Sequence, residues 1–171
     1  MSNSRIILVT GGQRSGKSGF AQRTALAMSP NPVYVATAKV WDDEFRERVK
    51  RHQAERGSEW TNIEEEMYIS RHDYTGRTVV VDCVTLWATN FFFNLDSDTH
   101  KALDAAKTEF DKLAQQDATF IIVTNEIGLG GVSADKIQRK FTDLQGWLNQ
   151  YIAAAADEVY LMVSGIPLKV K

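Results

Sequence analysis

The stretch Gly11-Gly12-Gln13-Arg14-Ser15-Gly16-Lys17-Ser18 fits the phosphate-binding pattern Gly-x-x-x-x-Gly-Lys-Ser in full. Glycines at 11, 12 and 16 open backbone angles closed to other residues, so successive N–H groups can turn inward around phosphate oxygens. Lys17 can reach the β and γ phosphates and Ser18 can hold Mg²⁺, while the helix that follows adds its positive dipole end. A plain glycine-rich turn is the bland alternative. The buried-strand run Ile6–Val9 before the loop and the helix-like Gly19–Met28 after it favour a nucleoside triphosphate site.

Other polar residues stand where strands should end. Thr78-Val79-Val80-Val81-Asp82 reads as a buried strand tipped by an acid, a Walker-B arrangement in which Asp82 completes the Mg²⁺ shell opposite Ser18. Ala36-Thr37-Ala38 closes the second apolar run, Val33–Ala38, and belongs near the phosphates because ligands of open parallel sheets gather at the carboxyl ends of strands. Asn125-Glu126 follows the strand Thr119–Thr124 and either senses the γ-phosphate, orients a hydroxyl nucleophile or forms a simple turn. Gly128-Leu129-Gly130-Gly131 reads as a mobile flap rather than a second phosphate loop, since no Lys-Ser pair follows.

Asp42-Asp43-Glu44 suggests a metal site at first, but acids in a first helical turn offset the dipole, and capping is the better reading. On that helix Trp41, Phe45 and Val49 share a stripe that continues into His52 and Arg56. A lone histidine on such a face is more often a satisfied core residue. Arg56 one turn away changes this: a buried guanidinium needs an anion, so a phosphate lying across His52 and Arg56 explains both. Glu64 is either a solvated acid or a ribose or metal contact, and His72 reads as surface sequence without a role.

These residues need an α/β frame. Its elements include a short strand around Trp60–Glu64, a short helix Glu65–His72, an apolar helix Thr85–Asn94 that is deeply buried or meets another subunit, and an amphipathic helix Thr99–Gln116. A long helix Lys136–Ala156 and the strand Glu158–Val163 lead through Gly165-Ile166-Pro167 into an antiparallel hairpin. The 171 residues, 43% of them hydrophobic, suit one domain over 1–171, with no repeat or linker to suggest a second. A net charge of −2 and the lack of a Lys/Arg block argue against a nucleic-acid partner. Cys83 is the sole cysteine, which excludes an internal disulfide and a cysteine zinc site and leaves it a small buried side chain beside a strand end. No stretch suits a signal sequence or a membrane span, so a cytoplasmic location is expected.

Gly11 to Ser18, Tyr34-Val35-Ala36-Thr37, Asp42-Asp43-Glu44, Arg48-Val49-Lys50-Arg51-His52, Trp60-Thr61, Val123-Thr124-Asn125-Glu126 and Val163-Ser164-Gly165 together resemble the bifunctional adenosylcobinamide kinase / adenosylcobinamide-phosphate guanylyltransferase family of cobalamin biosynthesis. The likeness runs from Ile6 to the C-terminus, and the order and spacing of the segments make it specific. It implies a RecA-like P-loop fold, a homotrimer, and Mg²⁺-dependent use of ATP or GTP in two reactions on a corrinoid. The first phosphorylates adenosylcobinamide. The second moves GMP from GTP to that phosphate through a guanylyl-histidine, and the motif puts the nucleophile at His52 beside a catalytic Lys17. Family nucleotide-binding positions fall on Gly11, Gly12, Gln13, Arg14, Ser15, Gly16, Lys17 and Ser18, on Ala36, Thr37 and Ala38, on Gln53, Ala54, Glu55 and Arg56, and on Glu64 and Asp82. Departures from the family pattern fall in the short segment between Glu64 and the Asp82 strand and at position 82 itself; they bear on corrinoid contacts more than on the chemistry. Two other readings stay open: a simple P-loop small-molecule kinase without a covalent intermediate, and a RecA-type DNA-binding protein switched by nucleotide.

Overall fold

The computed structural model describes residues 3–171, the side chain of Arg48 excepted. In chain order the elements are β1 (Arg5–Gly11), α1 (Lys17–Met28), β2 (Val33–Ala36), α2 (Asp43–Ala54), β3 (Thr61–Glu64) and β4 (Thr78–Asp82). They continue with α3 (Val84–Asn94), α4 (Thr99–Ala114), β5 (Thr119–Val123), α5 (Lys136–Ala155), β6 (Glu158–Val163) and β7 (Ile166–Lys169). The strands form one sheet in the order β3-β2-β4-β5-β1-β6-β7, parallel throughout except for the β6–β7 hairpin. β5 stands between the phosphate-loop strand β1 and the acid-tipped strand β4, as a RecA-like P-loop fold requires.

Continuous apolar strands make sense only if both faces are covered. Along β1, Ile6 and Leu8 face one layer and Ile7 and Val9 the other, all within 4% exposure. One layer is α1, whose Ala21 and Ala25 have no exposed surface and let the helix lie close to the sheet. The other is built from α3, α4 and α5, with Trp87, Phe92, Phe110, Leu144, Leu148 and Ile152 buried against the strands. Helices therefore cover both faces, and α3 buries Val84, Trp87, Ala88, Asn90, Phe91 and Phe92 while Phe93 and Asn94 at its end stay exposed. Among the described residues no helix is long and apolar enough to cross a membrane.

Several local expectations shift. The second strand ends at Ala36 rather than Ala38, and the helix expected over Glu65–His72 shrinks to a single 3-10 turn, Ile69–Arg71. At the start of that stretch the Glu65 carboxylate accepts from the N–H groups of Met67 and Tyr68 at 3.1 and 3.0 Å, closing a local turn. His72 is not plain surface sequence: its Nε2 is buried, 3.7 Å from the Glu65 carboxylate. Asp42 caps α2, accepting from the Phe45 N–H at 2.7 Å, as the capping reading expects.

At the far edge, Ser164 and Gly165, both at positive φ (51° and 84°), form the two-residue turn that closes the hairpin. Glu158 ties β1, β6 and β7 together, accepting from Arg5, from the Tyr160 hydroxyl at 2.6 Å and from Lys169 at 3.1 Å. These donors, Tyr160 first, hold its pKa down from 4.5 to about 2. A depressed carboxylate contributes stability above its unfolded pKa and loses it as pH falls through the folded value. Glu158→Gln should therefore lower stability by on the order of 1 kcal/mol at pH 7, a difference that fades between pH 4.5 and about 2, as denaturant unfolding of both proteins across that range will read out.

Candidate active site

β1 delivers the chain to the carboxyl edge of the sheet, where Gly11 and Gly16 turn it with φ of 154° and 91°. Both must be glycine for a second reason. A Cβ on Gly11 would lie 2.8 Å from the Met162 carbonyl, and one on Gly16 would lie 3.1 Å from the Gly165 Cα. Gly12, expected to need an unusual angle too, does not: its φ is ordinary and a Cβ there would meet nothing within 4 Å. Its bareness leaves room for a ligand to approach the backbone.

Lys17 opens α1 and is buried together with Ser15, while Gln13 and Arg14 at the crown of the loop are exposed. The Lys17 ammonium donates to the Gly12 carbonyl and lies 3.4 Å from Ser15 Oγ, so the loop curls around a cation placed for phosphate. Burial lowers its pKa from the ordinary value, against the opposing pull of Cys83 and Asp82. One residue on, Ser18 Oγ donates to Asp82 Oδ2 at 2.6 Å, joining the loop to the tip of β4. That brings together the two expected metal-site residues. Their hard oxygens suit Mg²⁺, which keeps several waters and takes substrate phosphates rather than a full protein cage. Among the described residues no group of three or more His, Cys, Asp or Glu fit for a metal occurs.

The same carboxylate accepts from the Tyr34 hydroxyl at 2.5 Å. Burial first, then the Asp82 charge, pushes the Tyr34 pKa well above its ordinary range, so the hydroxyl stays protonated and donates. In the sequence Tyr34 has no part in the site beyond the family resemblance, although a polar-tipped ring in a buried stretch of strand needs a partner. Cys83, beyond a cis peptide bond from Asp82, is buried as expected, and burial raises its thiol pKa to about 12.

Thr37 was expected at the phosphates and is instead wholly buried. Its hydroxyl donates to the Cys83 carbonyl at 2.7 Å and accepts from the Cys83 N–H at 3.0 Å, and Asn90 holds its own carbonyl. Thr37 thus locks the tip of β2 to the tip of β4. Ala36 and Ala38 beside it stay half buried at the edge.

The α2 side departs further from expectation. None of its described side chains is buried; Phe45 and Val49 are half buried and Trp41 is 61% exposed, so the apolar stripe has no layer over it. The helix ends at Ala54, which takes Arg56 off the helical stripe. Arg56 is buried, but its partner is not an anion: the guanidinium lies 3.7 Å over the Tyr34 ring and Nε donates to Asn62 Oδ1 at 2.8 Å. His52 stands apart, its side chain 60% exposed and Nδ1 3.4 Å from the Glu55 carboxylate. Gln53 donates to Glu64, while Ala54 offers only backbone and a methyl group. Because Glu64 and Asp82 both pair in register with Ala36, they lie two strand spacings apart, about 10 Å. A nucleoside can bridge that gap.

Behind the loop, the Glu126 N–H donates to the Gly11 carbonyl at 2.9 Å and the Glu126 carboxylate accepts from Gly128, which makes Asn125–Gly128 a structured turn. Thr124, Asn125, Gln145 and Asn149 form a polar network under it, which helical periodicity on α5 did not announce. Leu129, in the glycine-rich segment expected to act as a flap, is 85% exposed.

Residues 7–170 match the family described as Cobinamide kinase / cobinamide phosphate guanyltransferase. The chain is 35% identical to the Bifunctional adenosylcobalamin biosynthesis protein CobU of Escherichia coli (strain K12), over 97% of this chain and 99% of that one. It is also 35% identical to the Bifunctional adenosylcobalamin biosynthesis protein CobP of Pseudomonas aeruginosa, over 96% of each. A solved structure from Pyrococcus horikoshii OT3 superposes with a TM-score of 0.52 at 8% identity, covering 98% of this chain and 86% of that one, and bears on the fold alone.

Thr37→Val keeps the volume of a buried residue but strips the Cys83 N–H and carbonyl of their partner. The substitution should cost about 1–3 kcal/mol of stability, visible as a lower urea midpoint with an unchanged slope.

Proposed function

Because this chain belongs to the cobinamide kinase / cobinamide phosphate guanyltransferase family, we propose that it phosphorylates adenosylcobinamide from a nucleoside triphosphate and then converts the phosphate to adenosylcobinamide-GDP. In the first step the corrinoid hydroxyl attacks the γ-phosphorus, and the nucleoside diphosphate leaves as the hydroxyl proton is lost. In the second, His52 attacks the α-phosphorus of GTP, an N–P bond replaces the α–β phosphoanhydride, and pyrophosphate departs. The corrinoid phosphate oxygen then attacks the guanylyl group and restores the imidazole.

The observation that carries this reading is the mooring of the His52 segment to the phosphate loop. Arg56 lies on Tyr34, Tyr34 binds Asp82, and Asp82 binds Ser18. The imidazole is open to a ligand, and the Glu55 carboxylate near Nδ1 favours the proton there, leaving the Nε2 lone pair for attack. Lys17 neutralises phosphate charge from inside the loop, and Gln53 and Glu64 stand where the nucleoside end would lie. Bound Mg²⁺, held by Ser18 and Asp82, would supply charge neutralisation for the departing pyrophosphate. The uncovered α2 face fits assembly as a homotrimer. On this reading the chain is a cytoplasmic enzyme of one domain, 1–171, acting on a small corrinoid, and its net charge of −2 argues against nucleic acid as a partner.

Mass spectrometry of the protein incubated with GTP and Mg²⁺ should find one added GMP, mapped to His52 and lost in His52→Ala. A protein that phosphorylates the corrinoid but never carries GMP would be a simple kinase; an adduct on another residue would move the nucleophile.

A further inference from the structure

Asp82 is gripped by two hydroxyls from different elements, Ser18 at the start of α1 and Tyr34 in β2, and both bind Oδ2. Among the described residues no hydrogen bond reaches Oδ1. A carboxylate held through one oxygen has its orientation set and its other oxygen left for a cation or that cation's waters. Ser18 is itself a candidate ligand. Tyr34 is therefore the one donor on Asp82 whose contribution is position alone.

Tyr34 is in turn held on several sides. The ring is 7% exposed, the Arg56 guanidinium covers it at 3.7 Å, and Trp60 meets it edge-on at 5.8 Å. Arg56 is fixed by Asn62, at the head of β3, through a 2.8 Å hydrogen bond. The chain of contacts runs from the segment just beyond His52, through a stacked cation and a phenol, to the carboxylate beside the phosphate loop.

We propose that Tyr34 is a positioning residue whose hydroxyl, braced by Arg56, aims the Asp82 carboxylate so that the site gains affinity for a divalent cation when nucleotide is bound. This rests on the reading of Ser18 and Asp82 as the cation-holding pair. It assigns to β2 a role in the chemistry of the site that neither the phosphate-loop pattern nor the acid at the tip of β4 contains. Removing the hydroxyl frees the carboxylate to rotate, while the ring, the Arg56 stack and the Trp60 contact remain.

The test uses the full chain carrying His52→Ala, so that no covalent adduct accumulates, with and without Tyr34→Phe. Mn²⁺ binding to the protein–GTP complex is followed by electron paramagnetic resonance, and GTP binding in excess chelator by fluorescence of a labelled analogue. Tyr34→Phe should weaken Mn²⁺ binding by about tenfold, the low end of what a lost outer-shell partner costs, with GTP affinity in chelator changed by less than about threefold. Mn²⁺ affinity within about threefold of the reference, or an equal loss with and without cation, would overturn the proposal; the second result would make Tyr34 a support of the fold only. The two readings separate cleanly. Absence of a guanylyl adduct on the His52 protein, with the Mn²⁺ effect present, sinks the covalent mechanism and leaves the Tyr34 role standing; an adduct without the Mn²⁺ effect does the reverse.

Discussion

The contact on which the site depends is the 2.6 Å hydrogen bond from Ser18 to Asp82. It closes a gap across the sheet, because β1 and β4 are not neighbours and β5 lies between them. The contact exists only if β4 pairs in the observed register, with Asp82 opposite Ala36 on one side and Val123 on the other. A slip of one residue would turn every side chain of β4 to the opposite layer. It would carry Asp82 away from α1 and set Val80 and Val81 in each other's environments. The apolar packing that selects the register therefore also aims the carboxylate.

The phosphate loop is held from behind by parts of the chain remote in sequence. Glu126 donates to the Gly11 carbonyl, and Gly165 donates to the Ser15 carbonyl at 2.9 Å, so the β5 tip and the hairpin turn each fix one end of the loop. Met162 of β6 comes so close that a Cβ on Gly11 would clash, and the hairpin turn at Gly165 would be crowded by one on Gly16. The glycines thus serve packing as well as phosphate approach. The salt-bridge cluster at Glu158, which ties β7 to β6 and β1, keeps that backing in place.

α2 follows a different logic. Its cap is well made, yet its apolar residues find no core: among its described side chains none is buried. Its tether is polar: Gln53 to Glu64, and beyond its end Arg56 on Tyr34 and Asn62. These few polar contacts leave the helix end at His52 exposed, its side chain 60% accessible.

Much of this was legible in residue order. The phosphate loop, the acid at the tip of β4, the caps and the mainly parallel sheet follow from local rules, glycine's freedom, strand hydrophobicity and helix dipoles, which operate within a few residues. The partners of Thr37, Arg56 and Tyr34 were not legible. A buried hydroxyl or guanidinium is equally content with a phosphate, a carbonyl, an amide or a ring, and which of these it meets depends on strands brought together from distant positions. Sequence alone determined the strand-to-helix loop and its Gly-x-x-x-x-Gly-Lys-Ser pattern. Only the tertiary structure decided that Thr37 and Arg56 brace the site, because polar groups take their partners from spatial neighbours, and the pairing order of the sheet sets those neighbours.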